Sequence, residues 1–200
     1  MLFLSITHII GLLSCTLIYI ILFSCLKNKS IKVKNATITS LLFLSLLIHF
    51  IKLLIPEYRN NLPTSLISLT PETLCAASTI AFPFIYLSKN KAFKDYMVIF
   101  GIISGALTLL FPLDIIKNTI STIEIIRFFF AHLVIFVCPL LMLTLGIHKP
   151  TKKWIKHTLL ILLLMINIVI LNTIIMTYIL NGKEALETLV KPLYIMYFLY

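Results

Sequence analysis

Six predominantly apolar runs dominate the chain: Leu2–Leu26, Ala36–Ile55, Glu72–Ser88, Tyr96–Leu113, Phe128–Ile147 and Thr158–Leu180. Each is ~17–25 residues long, and a helix rising 1.5 Å per residue needs ~20 to bridge a hydrocarbon core of ~30 Å. In lipid every backbone polar group must be satisfied within the protein, which leaves only helices and closed barrels. Barrel strands would alternate apolar and polar over ~10 residues, and these runs are apolar all round. The expected fold class is therefore all-α, a polytopic membrane bundle of six to seven transmembrane helices. A seventh run starts at Leu189 and stops at Tyr200; as a helix it would reach only ~18 Å, so the last helix is expected to be short or truncated. Composition excludes a soluble globular domain, since 60% of residues are hydrophobic against the ~45–50% typical of one. With no internal repeat or low-complexity tract, residues 1–200 read as a single integral membrane domain.

The first run is not a cleavable signal peptide. It has no basic residue before Lys27, it is too long for an h-region, and no A-x-A-like site follows. Charge then orients the bundle. Lys27, Lys29, Lys32 and Lys34 lie between runs one and two, Lys89, Lys91 and Lys94 between three and four, and Lys149, Lys152, Lys153 and Lys156 between five and six. These are eleven of the 17 basic residues, with only Asp95 among them. On the other side six basic residues, Lys52, Arg59, Lys117, Arg127, Lys183 and Lys191, balance six acids. The formal charge of +10 thus belongs to one face. Because Lys and Arg are retained on the cytoplasmic side, that face reads as cytoplasmic, with the N-terminus outside and the protein multi-pass in the cytoplasmic membrane. The basic loops suit anionic headgroups. No arginine-rich arm points to nucleic acid.

The longest connection, Pro56 to Pro71, holds three prolines and Asn60-Asn61, which mark turns, and Leu62–Leu69 could lie along the interface. Pro83 and Pro139 fall inside runs and each removes a helical hydrogen bond, predicting kinks. Pro112 ends the fourth helix. Gly101 and Gly105 form a G-x-x-x-G step suited to close helix contact.

Ionisable and strongly polar side chains inside spans are expensive, which makes them functional candidates. His8 falls in the outer half of the first helix. His49 lies ~9 Å below the outer boundary, Cys75 and His132 each ~6 Å and Asn172 ~12 Å. Several helices thus deliver imidazole, thiol and carboxamide groups to one shallow layer. His148 and His157 flank the inner lysine cluster, where interfacial solvation is expected to account for them. A thiol acts as a nucleophile in its thiolate form, which a helix N-terminus and a nearby imidazole favour. Cys75 follows Pro71 by four residues and so sits near the positive end of its helix; His132 could supply the imidazole, with Glu124 and Arg127 one to two turns above it and able to pair at i, i+3. Cys15, Cys25 and Cys138 read as inert packing residues, and Cys75 and His132 have the same structural alternative. His8, His49, His132 and Cys75 are also acceptable zinc ligands, but no C-x-x-C, H-x-x-x-H or H-E-x-x-H spacing supports a metal, and no cofactor is expected.

Several stretches resemble the bacterial YwaF-type integral membrane proteins, which are related to eukaryotic transmembrane protein 164. The resemblance lies in "THIIGLL" around His8, the P-x-x-x-C step from Pro71 to Cys75, "GALTLLFPLD" at Gly105–Asp114, "FFFAHLVIFVCPLLML" at Phe128–Leu143 and "LNTIIMTYIL" ending at Leu180. It covers most of the chain in order. The pattern of that family has a histidine where this chain has Thr73, and often a glutamate where it has His49. The resemblance implies a bundle of about seven helices and, through the eukaryotic relatives, phospholipid acyl transfer by way of a cysteine thioester; Cys75 matches the nucleophile position and His132 the assisting histidine.

The expected function is that of a lipid acyltransferase in the outer leaflet, with membrane phospholipid as partner, Cys75 and His132 catalytic, and His8, His49, Asn172 and Arg127 binding substrate. The ester of a phospholipid lies just under the headgroups, at the depth of Cys75. The alternatives are a non-enzymatic protein that binds or transports a lipid or small ligand in the same layer, and a structural partner using the small-residue step. Transporters commonly show internal repeats, and none is visible here.

Overall fold

A computed structural model describes residues 6–51, 69–71, 73–112 and 122–181. Its elements are α1 (Ile6–Leu26), α2 (Ile31–Ile51), α3 (Leu74–Leu87), α4 (Lys91–Leu110), α5 (Thr122–Thr144) and α6 (Trp154–Asn181). All except α3 are long and apolar enough to cross a membrane, and the protein is a multi-pass helical membrane protein. The expected seventh helix from Leu189, and most of the Pro56–Pro71 connection with its expected interfacial turn, lie outside the described residues.

The helices do not begin where the apolar runs begin. α2 starts at Ile31 rather than Ala36, α4 at Lys91 rather than Tyr96, α5 at Thr122 rather than Phe128 and α6 at Trp154 rather than Thr158. A helical backbone satisfies itself in the headgroup layer as well as in hydrocarbon, so the hydrophobic boundary does not end it. Caps do. Asn90 accepts the Ala92 N–H on its side chain at 2.9 Å and starts α4. Thr73 likewise accepts the Ala76 N–H at 3.1 Å and starts α3, which at 14 residues is shorter than the expected Glu72–Ser88. α5 stops at Thr144, before the expected Ile147, because Gly146 takes a left-handed φ of 69°. The N–H groups of Ile147 and His148 then both donate to the Met142 carbonyl, at 2.9 and 3.1 Å, a glycine-dependent helix stop.

Contacts fix which ends lie together. Asn35 near the start of α2 accepts the Tyr86 hydroxyl from the end of α3 at 2.7 Å, and Asp95 near the start of α4 meets His148 and His157 around the start of α6. At the opposite end, His8 at the start of α1 reaches Leu109 at the end of α4. Successive helices therefore alternate in direction, with the lysine-bearing connections gathered at one end.

α5 is the hub. Over its spanning window 56% of residues are buried, against 11% in α1 and 17% in α2 and α6, so among the described residues α5 is the most enclosed. Between helices in lipid the hydrophobic effect offers little, and close packing of small residues carries the association. Gly101 and Gly105 supply it. A Cβ on Gly101 would lie 2.6 Å from Pro139 Cγ and 2.9 Å from the Ile135 carbonyl oxygen, and one on Gly105 would lie 2.8 Å from Phe136 Cβ. The predicted small-residue step is thus the α4–α5 seam. Pro139 has no N–H to give the Ile135 carbonyl, and that carbonyl faces the bare backbone of Gly101. Pro83 and Pro139 both lie inside continuous helices.

Candidate functional site

The last turn of α4 receives side chains from two other helices. Cys75, in the first turn of α3, lies with Sγ 3.8 Å from Thr108 Oγ1, and Thr108 gives its hydroxyl hydrogen to the Ser104 carbonyl at 2.9 Å. A hydroxyl has one hydrogen, so toward Cys75 the threonine oxygen accepts and the S–H donates. The sulfur is half-buried and packs against the core. One residue further along α4, the Leu109 carbonyl accepts from His8 Nε2 at 2.9 Å, and His8 is 1% exposed.

His132 belongs to the same level by the register of the seam. Gly101 packs on Pro139 and Gly105 on Phe136; one further turn up α4 reaches Leu109, and one further turn back along the antiparallel α5 reaches His132. A row of rings also joins the imidazoles. His8 lies 6.4 Å from Phe129, Phe129 lies 5.6 Å from Phe128, and Phe128 lies 4.2 Å from His132, all between ring centroids. Gly11 lets α1 approach this row, since a Cβ there would fall 2.5 Å from the Phe129 ring.

Hydrogen bonds to carbonyls settle the tautomers, because a carbonyl only accepts. His132 Nδ1 donates to the Phe128 carbonyl at 2.9 Å, so in the neutral ring Nε2 carries the lone pair. His8 and His49 bond through Nε2, which leaves the lone pair on Nδ1 in each.

His49 and Asn172 form a second group. His49 Nε2 donates to the Leu69 carbonyl at 3.1 Å, and Asn172 Nδ2 donates to Thr70 Oγ1 at 2.8 Å. Both therefore tie down the residues just before Pro71 and the Thr73 cap, the backbone that delivers Cys75. Arg127 pairs with Glu124 one turn back on α5, its Nε donating to Glu124 Oε2 at 2.7 Å and a second contact joining Nη2 to Oε1. That i, i+3 pairing is the one the spacing allowed.

At the lysine-rich end the structure corrects the reading of two histidines. His148 and His157 are not simply solvated at the interface. His148 Nε2 meets Asp95 Oδ1 at 2.8 Å and His157 Nδ1 meets Oδ2 at 2.8 Å. Thr151 adds its N–H to Oδ1 at 3.1 Å and its hydroxyl to Oδ2 at 2.5 Å. Asp95 is fully buried and His148 nearly so. The signal was present in the sequence as the one acid among eleven lysines; what hid it was the 53- and 62-residue separation of the partners. Both imidazoles turn N–H groups toward the carboxylate. Among the described residues no three His, Cys, Asp or Glu side chains are arranged to hold a metal ion.

A family model described as the TMEM164 family matches residues 3–198, nearly the whole chain, and the chain belongs to that family. Among curated proteins and among solved structures, none matches it.

Proposed function

We propose that this TMEM164-family membrane protein is a phospholipid acyltransferase working through a thioester on Cys75. The observation that carries the reading is the meeting of Cys75 and His8 on consecutive residues of α4, with His132 at the same level. Cys75 stands in the first turn of α3, where the helix dipole favours an anion at sulfur. His132 has the tautomer a base needs, with Nδ1–H held by its own helix and Nε2 as the proton-accepting nitrogen of the neutral ring.

In the first half-reaction His132 Nε2 takes the thiol proton and the sulfur attacks the ester carbonyl of a phospholipid. The ester C–O bond breaks, the lysolipid oxygen leaves with the proton from the imidazolium, and the acyl group stays on Cys75. In the second, a lipid hydroxyl gives its proton to His132 and takes the acyl group, regenerating the thiol. His8 gives its Nε2–H to the Leu109 carbonyl and so holds α1 at the level where the ester would bind. His49 and Asn172 support the segment leading to Cys75, and Arg127 with Glu124 lies a turn or more above His132 at the headgroup side.

The layer belongs to the face opposite the lysines. By the positive-inside rule that places the N-terminus outside, the chemistry in the outer leaflet and the protein in the cytoplasmic membrane. We further propose that the chain forms one integral membrane domain.

The test is acylation of purified protein by an alkyne-bearing phospholipid. Hydroxylamine-labile label on the wild type should vanish in Cys75→Ser and fall at least ~100-fold in rate in His132→Ala, the range a positioned acid–base supplies. Label that persists in Cys75→Ser overturns Cys75 as the nucleophile, and absence of label on the wild type overturns the proposal in favour of a protein that binds lipid without reacting with it.

A further inference from the structure

The lysine-rich end carries an open, shallow face along one side of α6, with Lys152, Lys153 and Lys156 at one end and Leu159, Leu160 and Leu163 at the other. Spacings of three and four residues stack these positions on one stripe of the helix. From Lys153 to Leu163 the stripe runs ~15 Å along the axis, changing from charged to wholly apolar as it goes. Leu159, Leu160 and Leu163 are 61%, 62% and 59% exposed, and the three lysines are exposed beside them. Trp154, on the same first turn, is half-exposed, as an amphipathic ring is at headgroup level. The positive end of the α6 dipole adds to the lysines.

The backbone that displays the lysines is held on both sides. Thr151 is fixed to Asp95 by its N–H and its hydroxyl, and the same Thr151 oxygen accepts the Lys153 N–H at 3.3 Å. His157, the residue after Lys156, is tied to the same carboxylate. A ligand here meets a frame already ordered, which lowers the entropy lost on binding.

Such a face fits an amphiphile with negative charge at one end and an apolar chain at the other, the two ends together covering the ~15 Å of the stripe. We infer that it binds a phospholipid with an anionic headgroup, its phosphate among Lys152, Lys153 and Lys156 and one acyl chain along Leu159 to Leu163. The site lies in the leaflet of the lysine-rich face. It involves neither Cys75 nor His132, so it stands or falls separately from the proposed acyl transfer. Free phosphate would satisfy the lysines and leave the leucines to other lipid, which is why the lipid is the occupant that fits the whole stripe.

The experiment titrates the purified full chain, in neutral detergent, with phosphatidylglycerol, phosphatidylcholine or inorganic phosphate, and counts bound lipid by native mass spectrometry. Phosphatidylglycerol should bind more tightly than phosphatidylcholine. The exposed K152Q/K153Q/K156Q triple should lower its affinity about 100-fold, at roughly fivefold per lysine. The K27Q/K29Q/K32Q triple, with equal charge removed from another part of the same face, should leave it unchanged, and L160Q should weaken it with all lysines in place. Equal loss in the two triples would mean general surface attraction, and equal binding of the two lipids would remove the headgroup-binding half; unchanged affinity in L160Q or displacement by equimolar phosphate would remove the chain-binding half. Any of these overturns the site.

Discussion

The two ends of α4 are both polar, and they are built in opposite ways. Near its start, Asp95 gathers two imidazoles and Thr151 around one buried carboxylate, so the charge and its donors are mutually satisfied. Near its end, Cys75 and His8 each reach a neighbouring residue of α4, while His49 and Asn172 tie down the chain at Leu69 and Thr70. The first arrangement is a closed cluster that locks a loop and frames the lysines. The second is a set of contacts to different partners, each orienting a side chain with chemistry of its own. Buried polar groups alone therefore do not mark a reactive site in this protein; what distinguishes the ends is whether the groups converge on one carboxylate or on separate partners around a shared level.

If that contrast holds, the largest loss of stability comes from Asp95→Ala. Removing one partner of a buried charged network leaves the others without their acceptor and should cost ~3–5 kcal/mol, read as a lower unfolding midpoint in detergent. A loss below that of the variants named next would show the cluster to be dispensable. Gly105→Leu comes second. Its side chain must enter space held by the Phe136 backbone, and overpacking of this kind costs about 1–3 kcal/mol. Because the seam sets the level of His132 against Thr108 and Leu109, the same variant should also slow acyl labelling in the population that remains folded; unchanged labelling would mean that this register does not matter to the layer. Smallest is Asn172→Leu, which removes one hydrogen bond from α6 to the Thr70 side chain and should cost about 0.6 kcal/mol. A cost equal to that of Asp95→Ala would erase the difference between the two ends.

Much of the layer near the end of α4 was legible because depth along a span can be counted. Once the runs and their directions are assigned, His8, His49, Cys75, His132 and Asn172 fall on one side of the bilayer by arithmetic. Rotation about each helix axis is not given by depth, and the partners come from rotation. Thr108 carried no sequence signal, since a threonine in a helix commonly bonds its own backbone four residues back, as this one does to Ser104. The role of Thr73 was equally hidden: its side chain caps α3.

By itself the sequence determined that the chain spans the membrane as helices, which end gathers the lysines, and that Gly101 and Gly105 form a contact surface. Those properties follow from hydrophobic length, charge position and residue size, all of which are local. The tertiary structure alone decided that Asp95 closes on His148 and His157, that Cys75 and His8 meet on α4, and that the first turns of α6 present lysines above leucines beside a fixed loop. Each depends on how helices distant in sequence turn toward one another, and in an apolar solvent that choice is made by packing between neighbours, which no single segment specifies.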